Sequence, residues 1–157
     1  MIFEFISLFI RLLKTSDPSK KFRTELDLMF WGTEHSRCIR KFFQRRIFYK
    51  YNCEVSHQAI IHPTVVFGHP SGVIIGSNSI IEKGCKIYQQ VTLGANVLGN
   101  NAMPKIQENV TICAGAKVIG GVIIGENSIV GANAVVTKNV AENMVAIGAN
   151  KFQCRKR

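Results

Sequence analysis

Aliphatic residues or Phe recur every six positions through the last two thirds of the chain. A period of six matches neither the helical period nor strand alternation, so each hexad predicts a short flat strand followed by a corner. Three hexads close one triangular coil, and stacked coils bury a core that no coil buries alone. We therefore predict a parallel β-helix whose interior holds Val55, Ile61, Phe67, Ile75, Ile81, Ile87, Leu93, Ile106, Ile112, Val118, Ile124, Val130 and Val136.

The residues between these positions favour corners. Gly, Asn and Ala, which tolerate positive φ or crowding, follow the aliphatic residue in Ile75-Gly-Ser-Asn and Val130-Gly-Ala-Asn. A β-sandwich would instead show alternation of period two and hairpin turns about every 8–12 residues. The pattern therefore favours the β-helix.

The repeat breaks twice. Two extra residues fall within positions 68–72, and a longer loop covers positions 95–104. Insertions in a solenoid carry side chains away from the regular wall, which makes both breaks candidates for function, although each could be a harmless bulge.

Two helices are predicted ahead of the repeats, over residues 2–14 and about 34–51. We expect both to dock on the β-helix or a neighbouring subunit, with peripheral membrane contact as the alternative. The first apolar run is shorter than the ~20 residues of a membrane span and lacks a basic leader, so we expect neither a signal peptide nor a transmembrane helix. The predicted division is a helical extension (1–52), a β-helix domain (53–150) and a basic tail (151–157).

The net charge of +10 comes from the ends of the chain, because residues 51–150 hold five Lys and five Glu. Without a groove-reading motif, this distribution does not predict a nucleic-acid partner. The five cysteines include no C-x-x-C pair, so neither a disulfide framework nor a zinc knuckle is expected and a cytoplasmic location fits best.

Four segments resemble the serine acetyltransferases and the short acetyltransferases of capsule, colanic-acid and O-antigen synthesis. They are His69-Pro-Ser-Gly-Val-Ile-Ile-Gly76, Gln90-Val-Thr-Leu-Gly94, Pro104-Lys-Ile106 and Ala114-Gly-Ala-Lys-Val-Ile-Gly120. The resemblance implies a left-handed parallel β-helix acyltransferase with acetyl-CoA as donor and no metal. It also implies a homotrimer in which His69 faces loop 95–104 of a neighbouring subunit.

By the same resemblance, His69 is the general base and Glu54 the carboxylate that orients its ring, so we predict a contact between them. A neutral imidazole can take the proton of a hydroxyl as the C–O bond forms, typically for a gain of about 10²–10⁴-fold. A backbone amide near Gly72 could stabilise the oxyanion. The resemblance further places Ala95, Ala114 and Ala132 along the pantetheine arm of CoA and Lys151 near its phosphates, although corner geometry alone also accounts for small residues.

Two positions differ from the serine acetyltransferase pattern, and these differences determine which acceptor we expect. Met103 stands where that family has a second His, and Gly68 where it has an Asp before the catalytic His. We therefore expect a hydroxyl of a sugar or surface polysaccharide, acetylated in the cytoplasm, with the inner face of the membrane as the alternative location. Free serine as acceptor and a non-catalytic scaffold remain as alternatives.

The other candidate ligands and nucleophiles carry less weight. His57, His62 and His69 suggest the zinc enzymes built on the same β-helix, but their spacings of five and seven do not match a ligand set. Cys85 and Cys113 lie on the coils as candidate acyl-carrying nucleophiles, but we expect buried, inert thiols.

Overall fold

The computed structural model describes residues 2–96, 101–149 and 151–154, with three α-helices ahead of the strands. They are α1 (Ile2–Lys14), α2 (Pro18–His35) and α3 (Arg37–Tyr51). None of the helices in these residues is long and apolar enough to cross a membrane.

Very short strands follow, and each turns a corner into the next. Their bounds are β1 (Glu54–Val55), β2 (Ile60–Ile61), β3 (Val66–Phe67), β4 (Ile74–Ile75), β5 (Ile80–Ile81), β6 (Lys86–Ile87), β7 (Thr92–Gly94), β8 (Lys105–Ile106), β9 (Thr111–Ile112), β10 (Lys117–Ile119), β11 (Ile123–Ile124), β12 (Ile129–Val130), β13 (Val135–Val136), β14 (Met144–Ile147) and β15 (Lys151–Cys154).

Every third strand lies in the same sheet, which gives the prism three faces. Face A holds β1, β4, β7, β10 and β13; face B holds β2, β5, β8 and β11; face C holds β3, β6, β9, β12, β14 and β15. The pairings are parallel except for β14 with the final strand β15. The predicted left-handed parallel β-helix with a short helical extension is confirmed.

All thirteen predicted interior positions are buried, and none is more than 9% exposed. Each occupies the second position of its two-residue strand, or the middle of a three-residue one, while the residue before it faces outward. The six-residue period therefore identified the core correctly, because one side chain per face points inward.

The helical segment differs from its prediction in one element. Helix α1 matches, and α3 begins at Arg37 rather than near residue 34, but α2 was not predicted. Asp17 caps α2 by accepting a hydrogen bond from Lys20 N at 2.8 Å. Since α2 packs against α1, α3 and β3, it is buried on several sides and shows no single apolar stripe.

The helices dock on the first coil of the β-helix. The Phe22 ring of α2 lies 5.0 Å from the rings of both Phe67 and Tyr51, so one side chain joins α2, the end of α3 and the prism interior. Docking on the β-helix was one of the two roles expected for this segment.

Candidate active site

The two-residue insertion lies at the corner between face C and face A, here called the CA corner (residues 68–72, 88–90, 113–115 and 131–133). Phe67 pairs with Ile87, so the next residues, 68 and 88, lie opposite each other on adjacent coils. On the far side of the corner, Gln90 N donates a hydrogen bond to Ser71 O at 2.8 Å, which places residue 71 opposite residue 89. The extra residues are therefore His69 and Pro70 themselves.

His69 projects from this insertion. Its φ of +54° is in the left-handed region, which several Asn residues also adopt at other corners of this β-helix, so the backbone here forms a tight turn. The side chain is exposed while Pro70 beside it is buried, so the Pro anchors the bulge and the imidazole extends outward. No described residue forms a hydrogen bond or ion pair with the His69 ring, which leaves it open to a ligand.

Glu54 lies on the wall next to this corner. It pairs with Ile74 in face A, five residues beyond His69, and its exposed carboxylate borders a groove of about 330 Å³ beside Arg45 and Tyr49 of α3. Among the described residues, no hydrogen bond or ion pair joins Glu54 to His69. The predicted contact is therefore not formed in this structure, because one side chain lies on the wall and the other at the corner.

The predicted donor-binding alanines divide between two corners. Ala114 and Ala132 stack at the CA corner, where Asn133 N donates to Ala114 O at 2.9 Å. Ala95 follows β7 and lies at the opposite corner, between faces A and B, here called the AB corner. One protomer therefore does not bring the three alanines together.

Part of the predicted site lies outside the described residues. Positions 97–100 of the long loop and residues 155–157 of the basic tail belong to this part. Lys151 begins β15 by pairing with Ile147, but the placement of its side chain is not described.

The two positions that departed from the serine acetyltransferase pattern are packed by neighbouring side chains. A Cβ added at Gly68 would lie 3.0 Å from Cε1 of Tyr88, so the Tyr88 ring occupies the space beside the base. Met103 packs against Gly76 at the AB corner. Gly68 and Met103 are therefore both packed against neighbouring residues.

Sequence reasoning missed Gln89. This residue aligns with Ser71 at the CA corner, and its Oε1 is buried without a hydrogen-bond partner among the described residues. The available signal was its position directly before the Gln90-Val-Thr-Leu-Gly94 segment.

The other candidates form no reactive cluster. His62 Nδ1 lies 2.9 Å from Thr64 Oγ1. Burial raises the pKa of the Cys113 thiol above its usual value, and it raises the pKa of the Cys85 thiol to about 11. Within residues 2–96, 101–149 and 151–154, no group of three His, Cys, Asp or Glu side chains could hold a metal.

Comparison with known proteins identifies hexapeptide repeats. Residues 103–138 match the family described as bacterial transferase hexapeptide (six repeats). A putative serine acetyltransferase of Schizosaccharomyces pombe is 40% identical over 102 residues, which cover 60% of this chain and 38% of the relative. The serine acetyltransferase of Escherichia coli K12 is 36% identical over 109 residues, covering 65% and 40% respectively. The chain thus spans about two fifths of these curated relatives.

Solved structures give the same result. A serine acetyltransferase in complex with CoA is 28% identical with a TM-score of 0.75, covering 85% of this chain and 56% of that one. The soybean serine acetyltransferase apoenzyme is 25% identical with a TM-score of 0.78, covering 93% and 66%.

These findings contradict the expected sugar or polysaccharide acceptor and favour the serine alternative, and they support the resemblance to serine acetyltransferases but not that to capsule enzymes. That expectation was wrong because it gave most weight to Gly68 and Met103, which change two side chains within a retained scaffold. The chain carries the hexapeptide repeats of bacterial transferases and is similar, in sequence and in fold, to serine acetyltransferases.

Proposed function

We propose that this protein is an acetyl-CoA-dependent serine O-acetyltransferase with His69 as its general base. The observation that carries the proposal is the projection of His69 from a two-residue insertion in a β-helix that is similar to serine acetyltransferases, one of them solved with CoA. The assignment extends to the whole chain, although the chain spans only part of its relatives' length.

The His69 imidazole takes the proton of the serine hydroxyl as the oxygen attacks the thioester carbon. A C–O bond forms, the C–S bond breaks, and the imidazolium returns the proton to the CoA thiolate. Glu54 fixes the tautomer of His69 and stabilises the imidazolium. Since catalytic contacts are often loose before substrate binds, Glu54 and His69 need to meet only in the substrate complex.

The donor lies along the CA corner, where Ala114 and Ala132 leave room for the pantetheine arm. Ala95 of a neighbouring subunit borders the arm from the other side, and Lys151 contacts the phosphates. This arrangement needs a second subunit, because His69 and Ala95 lie at different corners of one prism, and we propose that the subunits form a homotrimer.

A complementation experiment tests the shared site. We expect that mixing His69→Ala chains with chains damaged only in loop 95–104 restores part of the activity, since some interfaces in a mixed trimer pair an intact His69 with an intact loop. Failure to recover activity in trimers shown to be mixed would contradict a site between subunits.

The enzymatic proposal is tested by acetyl-CoA-dependent CoA release with free serine. We expect serine-dependent release by the wild type and a loss of about 10²–10⁴-fold in His69→Ala. The matched control is His62→Ala. It removes another exposed imidazole, which lies at the preceding corner of the same coil and forms a hydrogen bond with Thr64. Equal activity of His69→Ala and wild type would refute the assigned base, and binding of acetyl-CoA without serine acetylation would refute the acceptor.

We also propose that residues 1–52, 53–150 and 151–157 act as extension, catalytic domain and tail, in the cytoplasm. The four cysteines with described side chains are free, which supports a reducing compartment.

Phe3 and Leu13 of α1 are exposed and support contact with the inner membrane face. Co-sedimentation with anionic vesicles that is lost in Phe3→Ser/Leu13→Ser tests that contact.

A further inference from the structure

Gln89 lies where the donor and the base meet. At the CA corner, backbone hydrogen bonds stack it between two small residues: Gln90 N donates to Ser71 O, and Gly115 N donates to Gln89 O at 2.9 Å. Position 115 follows Ala114, so Ser71, Gln89, Ala114 and Ala132 form one column along the prism. His69 precedes this column by two residues, which makes Gln89 the long polar side chain between the base and the alanines.

The Gln89 side chain has a buried acceptor without a partner. Four side-chain atoms among the described residues are buried and unpaired: Glu25 Oε2, Trp31 Nε1, Ser79 Oγ and Gln89 Oε1. Trp31 and Glu25 belong to α2, and Ser79 follows β4 at the AB corner. Gln89 Oε1 is thus the one of the four at the CA corner. A buried oxygen that forms no hydrogen bond is costly, and because Gln89 is only partly buried, rotation of its side chain can bring Oε1 out to a donor that lies along the corner.

We propose that the Gln89 carboxamide binds the pantetheine arm of the acyl donor, with Oε1 accepting a hydrogen bond from the amide N–H nearest the thioester. This inference rests on the proposed function and names a donor contact within it. Adjacent coils are about 4.8 Å apart, and the two-carbon linker and sulfur between that N–H and the acyl carbon span a similar length. An amide held at Gln89 therefore places the acyl carbon one coil lower, at the level of Ser71 and beside His69.

The inference is tested first by calorimetric titration of CoA into the full-length protein. Gln89→Leu removes the carboxamide and retains a branched apolar side chain, so we expect CoA to bind roughly ten-fold more weakly, as for one lost hydrogen bond. Gln90→Leu is the matched control, since it changes the adjacent, exposed carboxamide at the same corner, and we expect binding within about two-fold of wild type. Circular dichroism and light scattering check that both variants keep the fold and assembly of the wild type.

A CoA analogue identifies the interacting group. In this analogue an ester oxygen replaces the amide N–H nearest the sulfur, so it has no proton to donate to Gln89. We expect wild type and Gln89→Leu to bind it equally. Equal binding of natural CoA by the two proteins would overturn the inference and leave the proposed function intact. A deficit that persists with the analogue would also overturn it, since Gln89 would then act through packing. Absence of CoA binding by the wild type would overturn the proposed function and this contact with it.

Discussion

The β-helix and the helical segment bury their interiors in opposite ways. The prism interior is built from one aliphatic residue per face, repeated in register, and its charged residues lie on the outside. In the helical segment α2 buries a carboxylate, Glu25, whose Oε1 lies 3.0 Å from both Arg46 Nε and Lys50 Nζ of α3. The repeat stabilises through many equivalent apolar contacts, whereas the helical segment depends on a few specific ones.

This difference predicts that the largest single loss of stability arises in the helical segment. Glu25→Ala removes the fully buried partner of Arg46 and Lys50 and leaves a cavity at the α2–α3 contact, and since both cations are more than a third exposed we expect a loss of about 3 kcal/mol. Urea unfolding measures the free energy of unfolding. The control is Glu34→Ala, an exposed carboxylate on the same helix, for which we expect a change within about 0.5 kcal/mol. Similar results for the two variants would mean that the ion pairs do not hold α2 to α3.

The prism should lose nearly as much when one interior side chain is shortened. Ile112 is fully buried on face C between Ile87 and Val130, so Ile112→Ala creates a cavity and costs about 2–5 kcal/mol. Ile123 faces outward on face B, with 42% of its surface exposed, and serves as the control. A comparable drop in the free energy of unfolding for Ile123→Ala would show that its outer face is also buried, as at a subunit contact.

The same contrast explains how much of the structure could be predicted. Because one side chain per face points inward, the sequence has a visible period of six. The fold and all thirteen interior positions could therefore be predicted from it. Helix α2 has no such regularity because neighbours surround it and one buried residue is charged. In the site, His69 could be located by the break in the period. The Tyr88 ring over Gly68, the separation of Ala95 from Ala114 and the unpaired Gln89 oxygen depend on contacts between coils, which no local pattern encodes.

A smaller loss is expected at a corner of the prism. Gly84 has a φ of +73°, and a Cβ added there would contact Oδ1 of Asn109 on the next coil. Gly84→Ala should cost about 1–2 kcal/mol, chiefly because a Cβ disfavours the left-handed conformation. Gly94→Ala is the control, since its Cβ would lie 3.5 Å from Ile119 Cδ1, an ordinary contact. A larger loss for Gly94→Ala would contradict this ranking, because Gly94 has neither the positive φ of Gly84 nor its overlap with a neighbouring side chain.

The smallest effect at neutral pH should come from ionisation inside the prism. Burial, with a further contribution from Glu82 and Glu108, raises the pKa of Cys85 from 9.0 to about 11. The folded state thus holds the thiol proton more tightly than the unfolded state, so its stabilising contribution is complete below pH 9 and is lost as the pH rises through 11. Melting temperatures between pH 8 and 11.5 should fall less steeply for Cys85→Ala than for wild type, because the variant has no thiol to ionise. Lys50 and Tyr51, whose pKa values are also raised, are present in both proteins, so the difference between the two curves isolates Cys85. Parallel curves would show that the thiol does not resist ionisation and that the aliphatic interior admits water at this coil.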